Sequence, residues 1–199
     1  MIDFLASIDM LLNDNLTQDA YKLWVDIKTK TPMVMHRPSS ASGRYHLDES
    51  GTVRTIGEHT YQILFTTLKT LKIFNVTTPS RSADVLLLAG ACHDLLKYGA
   101  EDPLYRKSTD SKHDKLIADV LLFNKQRCLE ALQETDFVKL EKICRFHSGR
   151  WSTDATENFN MNNFPAEVMF IHMLDMLSAN NLLNVTGGEY VVTKHNSGS

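Results

Sequence analysis

The chain has 199 residues, a net charge of −3 and 43% apolar residues, which predicts one domain with a sizeable core. Lys and Arg are spread along the chain, so a surface for long duplex nucleic acid is not expected. No apolar run has transmembrane length and the start lacks the positive region of a signal peptide, so a cytoplasmic protein without membrane contact is expected. Cys92, Cys128 and Cys144 lie in apolar helical contexts without CxxC spacing, which predicts reduced core thiols.

The spacing of apolar residues predicts an all-α protein of roughly seven helices. Two N-terminal helices are expected within residues 1–31, where Thr31-Pro32 ends the second. Residues 32–55 show no periodicity and are rich in Ser, Gly and Pro, which predicts a long loop. The later helices are predicted at 56–74, 83–97, from about 110, 137–146 and 165–183, followed by a tail over 186–199.

The most apolar stretch, residues 86–97, predicts a buried helix that carries an adjacent His93-Asp94 pair near its end. A buried imidazole and a buried carboxylate both need partners. A metal cation would satisfy both, because it accepts neutral His nitrogen and carboxylate oxygen together. A hydrogen-bonded pair at a helix surface is the alternative, and the dipeptide alone favours it.

Several other predicted helices carry a metal-capable residue at an end or in an apolar middle. With the pair above, they form a set of four imidazoles and two carboxylates: His59, His93, Asp94, His113, His147 and Asp175. Such a set is too rich for a structural zinc site, which takes four ligands and often Cys. It suits a two-metal centre in which a carboxylate bridges the ions and positions stay open for water. Each residue taken singly would more often be an ordinary core or cap residue.

The order of these residues resembles the H…HD…D signature of the HD-domain metal-dependent phosphohydrolases, over residues 36–185. Residues 57–60 look like the G/E-x-H-T/S opening of the family's first ligand helix, and residues 93–97 resemble its HDxxK form. His113 and His147 are placed like the two additional histidines of binuclear members. Further similarities to phage and prokaryotic members are a Ser-rich loop, an H-x-G-x-W segment and an H-x-x-D-x-x-[SA] helix, at residues 38–46, 147–151 and 171–179.

Two departures from the family pattern are visible. No GYP tripeptide follows the fourth histidine, which argues against a dedicated cyclic-di-GMP role. Gly57 stands where the family often has an apolar residue. His172 lies one turn before Asp175, so it faces either the metal or a neighbouring helix, and the sequence leaves both roles open.

The resemblance implies an all-α HD-domain bundle of residues 56–185, with the metal centre between its helices and a substrate loop at 32–55. One ion would be held by His59, His93, Asp94 and Asp175, and a second by Asp94, His113 and His147. The catalytic residues would be Asp94 and Lys97, with the lysine neutralising charge on phosphoryl oxygens. The other candidate substrate-binding residues are Ser42, Arg44, His46, Arg54 and Arg150, although any single one of the charged four would more often be a solvated surface charge.

The expected cofactor is one or two divalent transition-metal ions, with Mn or Fe preferred; Co, Ni and Zn also fit, and Mg fits if one site fills. The expected activity is release of 5′-phosphate from (deoxy)nucleoside monophosphates by a metal-activated water. The alternatives are a phosphodiesterase or 3′–5′ exonuclease on cyclic or short oligonucleotides, and a degenerate HD domain that only binds. A phage-encoded enzyme acting in the host cytoplasm, and a homo-oligomer, are also left open.

Overall fold

The computed structural model describes residues 3–31, 34–40, 42, 44–48, 50–101, 103–156 and 159–180. Within these ranges the protein is all-helical, as predicted; the loop before the third helix adds two isolated antiparallel bridges, Pro38 to Thr55 and Leu47 to Val53. The predicted tail at 186–199 and the end of the bundle at 181–185 lie outside the described residues. The helices are α1 (Phe4–Asn15), α2 (Gln18–Lys30), α3 (Ile56–Ile73), α4 (Arg81–Cys92), α5 (His113–Phe123), α6 (Lys125–Ala131), α7 (Glu134–Phe146) and α8 (Ala166–Ala179).

Helix α4 lies in the middle of the bundle and packs against α3, α7 and α8. Its residues from Ala83 to Cys92 are nearly all buried, including Asp84. The Asp84 carboxylate accepts hydrogen bonds from the backbone N–H of Thr17 at 2.9 Å and from its hydroxyl at 2.6 Å. Thr17 is the N-cap residue of α2, so this contact joins the α1–α2 corner to the central helix. No described helix has the length and apolar character needed to cross a membrane.

The central helix is shorter than predicted, because α4 ends at Cys92 and not at Lys97. The following residues form tight turns, in which Leu95 N–H donates to Cys92 O and Lys97 N–H to Asp94 O, each at 3.0 Å. Apolar spacing cannot distinguish an α-helix from such turns when the run stays buried throughout, as Leu95 and Leu96 do. The turns carry His93 and Asp94 past the end of the helix.

The remaining differences from prediction concern short or terminal segments. Helix α6 was not predicted, since it is seven residues long and buries only Cys128. Helix α8 begins one residue after Pro165, which is its N-cap, and ends at Ala179. Gly57 is explained by packing: a Cβ there would lie 3.0 Å from both the Met35 carbonyl oxygen and the Phe4 Cβ.

Candidate metal centre

The six predicted ligand residues converge at one end of the bundle. His59 lies in the first turn of α3, His113 is the first residue of α5, and His93 and His147 are the C-cap residues of α4 and α7. The His59 Nε2 atom lies 3.1 Å from His93 Nε2 and 3.2 Å from Asp175 Oδ1. On the other side, His113 Nε2 lies 3.2 Å from His147 Nε2.

Asp94 lies between these two groups. Its Oδ2 atom is 3.6 Å from both His59 Nε2 and His93 Nε2. Its Oδ1 atom is 3.4 Å from His113 Nε2 and 3.6 Å from His147 Nε2. The carboxylate therefore presents one oxygen to each pair of imidazoles, which is the placement of a bridging ligand.

Three of the four imidazoles have their tautomer set by a backbone carbonyl three residues earlier. The Nδ1 atoms of His93, His113 and His147 lie 2.9, 2.8 and 2.8 Å from carbonyl oxygens, those of Gly90, Asp110 and Cys144. A carbonyl oxygen only accepts, so each Nδ1 carries a hydrogen. In the neutral ring, Nε2 then has a free lone pair that faces the centre.

The fourth ring reaches the same tautomer through two side chains. The Ser178 hydroxyl donates to Gln62 Oε1 at 3.0 Å, and the same hydroxyl lies 2.9 Å from His59 Nδ1. Its one hydrogen is already used, so the hydroxyl accepts from His59 Nδ1–H. His59 Nε2 therefore also faces the centre as a lone pair.

The facing ring nitrogens have no hydrogen-bond donor between them. Two Nε2 lone pairs that face each other at about 3 Å repel unless a cation, either a proton or a metal ion, lies between them. Asp94 Oδ1 is buried and accepts no hydrogen bond from the described part of the chain. The ligand atoms of His59, His93 and Asp94 all lie within 4.8 Å of one another, as do those of Asp94, His113 and His147. These buried His/Asp clusters could hold a metal ion, and their imidazole nitrogens and carboxylate oxygens are suitable ligands for it.

Burial sets much of the electrostatics. It lowers the pKa of His93 to about 3, which keeps this ring neutral and able to bind a metal. Burial also opposes charge on His147, but the Asp94 carboxylate outweighs it and raises the pKa of that ring. For Asp175, burial would raise the pKa of the carboxyl, but its proximity to His59 and to the positive charge of Lys97 holds that pKa below the usual range.

Lys97 is buried beside the Asp94 carboxylate. Its ammonium lies 2.5 Å from Asp94 Oδ2. Burial alone would neutralise both groups, but each offsets the other: Lys97 holds the pKa of Asp94 well below its usual range, and Asp94 raises the pKa of Lys97. Both groups are therefore charged, and Asp94 is available as an anionic ligand at neutral pH.

A cavity of about 620 Å³ lies next to the centre. Lys97, which is buried, lines this cavity together with Tyr45 and Trp151, which are both more than half exposed. Three serine hydroxyls and Thr109 supply polar groups. The lining residues are Ser39, Ser40, Ser42, Tyr45, His46, Lys97, Thr109, Trp151, Met176, Ala179 and Asn180.

The predicted substrate-binding residues divide into two groups. Ser42, His46 and Lys97 line the cavity, whereas Arg44, Arg54 and Arg150 are not among the described lining residues. The Arg54 side chain is buried and its Nε lies 3.6 Å from Glu58 Oε1. The Arg150 guanidinium lies 4.6 Å from the centre of the Trp151 ring. Glu58 therefore contacts an arginine, and burial raises the pKa of its carboxyl.

His172 acts between helices and does not face the centre. Its Nδ1 lies 2.5 Å from the His147 carbonyl oxygen, so it donates to the backbone of a candidate ligand. The ring occupies the space beside Gly149, where an added Cβ would lie 2.6 Å from His172 Cε1. Gly149 also has a φ of +63°, which favours glycine. This glycine therefore permits the contact between α8 and the end of α7.

Sequence reasoning missed Ser178 as the hydrogen-bond partner of His59, and Gln62 as the acceptor for the Ser178 hydroxyl. Both were detectable, because Gln62 follows His59 by three residues and Ser178 follows Asp175 by three, which places each pair on one helix face. The aromatic residues Tyr45 and Trp151 carried no separate signal for a cavity wall. Comparisons of the chain with protein-family models, curated proteins and solved structures found no match.

Proposed function

We propose that the protein is a metal-dependent phosphohydrolase that releases 5′-phosphate from (deoxy)nucleoside monophosphates. The observation that carries the proposal is the donor-poor centre: four imidazole lone pairs surround a carboxylate whose Oδ1 accepts no hydrogen bond from the described chain. A monoester dianion needs positive charge and an activated water, and a bound divalent cation supplies both near neutral pH.

Two ions would be held on opposite sides of Asp94, one by His59, His93 and Asp175, the other by His113 and His147. The arrangement of Nε2 atoms about the two Asp94 oxygens supports this division. Imidazole and carboxylate ligands suit Mn and Fe, which we propose as the metals used, and Co, Ni and Zn fit the same set.

Lys97 has a second role in this proposal. Its ammonium lies against Asp94 Oδ2 and also lines the cavity, so it is within reach of a phosphate that enters from that side. A fixed positive charge in a buried position offsets the charge that grows on phosphoryl oxygens during transfer. Lys97 would thus bind and orient the phosphate against the centre.

The cavity favours a mononucleotide as substrate. Its volume of about 620 Å³ is in the range of small-molecule sites, which run from roughly 300 to 1,000 Å³. Tyr45 and Trp151 offer aromatic faces on which a base stacks, and the serine hydroxyls offer partners for a sugar. The phosphate end would then point toward Lys97.

The test is hydrolysis of a panel of nucleoside and deoxynucleoside 5′-monophosphates with added Mn(II) or Co(II). A parallel panel of cyclic nucleotides and dinucleotides separates monoester from diester cleavage. We expect inorganic phosphate from the monophosphates and, in Asp94→Ala, loss of turnover by at least about 10³-fold with loss of bound metal.

The matched control is Asp14→Ala, which removes an exposed carboxylate from the last turn of α1. This variant should retain wild-type turnover and metal content. Turnover by Asp94→Ala at the wild-type rate would refute the proposal, as would diester cleavage without monoester cleavage.

A further inference from the structure

The substrate loop carries a buried imidazole, that of His46, which belongs to none of the His pairs described above. The His46 side chain is buried, with 6% of the residue exposed, and its Nδ1 makes no hydrogen bond to any part of the chain that the structure describes. Its ring packs edge-on against His59, with centroids 4.4 Å apart. An unpartnered buried ring nitrogen is costly unless something binds it.

The position of His46 relative to the centre is the second observation. Ligand atoms of His46, His59 and Asp175 all lie within 4.8 Å of one another. His59 belongs both to this set and to the set with His93 and Asp94. Its Nε2 atom lies 3.2 Å from Asp175 Oδ1 and 3.1 Å from His93 Nε2. Two nitrogens and one carboxylate oxygen at this spacing are a donor set for a divalent transition metal.

The backbone holds His46 in this position from two sides. Its N–H donates to the Ala179 carbonyl at 3.0 Å, and its own carbonyl accepts from the N–H of Arg54 at 2.7 Å. Ala179 ends α8, the helix that carries Asp175. His46 has a φ of +57°, which lies in the left-handed region that residues other than glycine seldom adopt without compensating contacts.

We propose that His46 is a further metal ligand, supplied by the substrate loop on the His59–Asp175 side of the centre. This inference rests on the metal centre of the proposed function but not on its substrate. It implies that metal loading and the order of the cavity wall are coupled, because Tyr45 of that wall directly precedes His46 and Ser42 lies four residues before it. His46 then acts on substrate through the loop and the ion, and not by direct contact alone.

The experiment is a Co(II) titration of the metal-free protein, followed by absorption spectroscopy and by competition with a chelator. His46→Asn and His46→Gly are suitable variants, since Asn and Gly both adopt the left-handed backbone that this position requires. His36→Ala is the matched control, because His36 is an exposed imidazole of the same loop. Circular dichroism confirms that each variant is helical.

We expect both His46 variants to bind one Co(II) at least tenfold more weakly than wild type and to change its d–d spectrum, while His36→Ala does neither. A measurement without variants uses ¹⁵N-histidine-labelled wild type loaded with Zn(II). Coordination shifts ring nitrogens, and five bound imidazoles are expected, from His46, His59, His93, His113 and His147.

If both His46 variants keep the wild-type Co(II) affinity and spectrum but show a raised KM for nucleotide, then His46 contacts only substrate. That result would overturn the inference. Four bound imidazoles in the labelled protein would overturn it equally. Failure of wild type to bind any Co(II) would refute the centre and this inference together. Five bound imidazoles without nucleotide hydrolysis would uphold the inference and refute only the proposed activity.

Discussion

Replacing Gly149 by Ala should destabilise the protein for two separable reasons. The residue has a φ of +63°, and a left-handed backbone costs a residue that has a Cβ atom about 1–2 kcal/mol. The new Cβ would also lie 2.6 Å from His172 Cε1, about 1 Å inside normal contact, and overpacking of this kind costs roughly 1–3 kcal/mol. The expected total is about 2–5 kcal/mol of unfolding free energy.

Gly51 provides the matched control. Its φ is +80°, but nothing lies within 4 Å of the Cβ that alanine would add. Gly51→Ala should therefore lose only the backbone share, about 1–2 kcal/mol. The difference between the two variants, about 1–3 kcal/mol, isolates the contact with the imidazole of His172.

The assay is urea unfolding of the metal-free protein followed by circular dichroism, with a double-mutant cycle that adds His172→Ala. In the Gly149→Ala background, removing the His172 ring should restore the part of the unfolding free energy that was lost to overpacking. Gly149→Ala should also weaken Co(II) binding, because the displaced ring is the donor to the His147 carbonyl. Equal stability of the two glycine variants, or additivity in the cycle, would refute the reasoning.

Three further perturbations test other parts of the structure. Ser178→Ala removes the hydroxyl that accepts from His59 Nδ1–H, so it should weaken metal binding 10–100-fold, measured by competition titration. Ser152→Ala is the control and should leave metal binding unchanged, because the buried Ser152 hydroxyl makes no hydrogen bond to the described chain. Lys97→Met leaves a buried carboxylate without its cation and should cost about 3–5 kcal/mol in urea unfolding of the metal-free protein. Its control, Lys139→Met, breaks a partly exposed pair and should cost at most about 1 kcal/mol, and equal costs would contradict the buried-pair argument. Burial raises the pKa of Cys128 from 9.0 to about 11, so stabilisation from its neutral thiol is full below pH 9 and is lost as pH rises toward 11. Between these pH values wild type should lose about 1.4 kcal/mol per pH unit more than Cys128→Ala, and parallel profiles would show an unshifted thiol.

The helical architecture was largely predictable because apolar periodicity reports directly on which face of a helix is buried. Thr55 caps α3 at the predicted start, residue 56, whereas Ser80 caps α4, which begins at Arg81, two residues before the predicted start at 83. The errors fall where periodicity carries little information. Residues 93–98 stay buried although the backbone has changed to tight turns, and α6 is too short to show a period.

The sequence by itself determined the inventory of chemical groups: four histidines and two aspartates whose order suggested one shared centre. Only the tertiary structure decided which atoms meet. The direction of each Nε2 depends on hydrogen bonds that Nδ1 makes with carbonyls and with Ser178, and the nearness of His46 to Asp175 depends on a contact between the loop and α8. Contacts between residues far apart in the chain arise from packing, and a local pattern of residue types does not contain them.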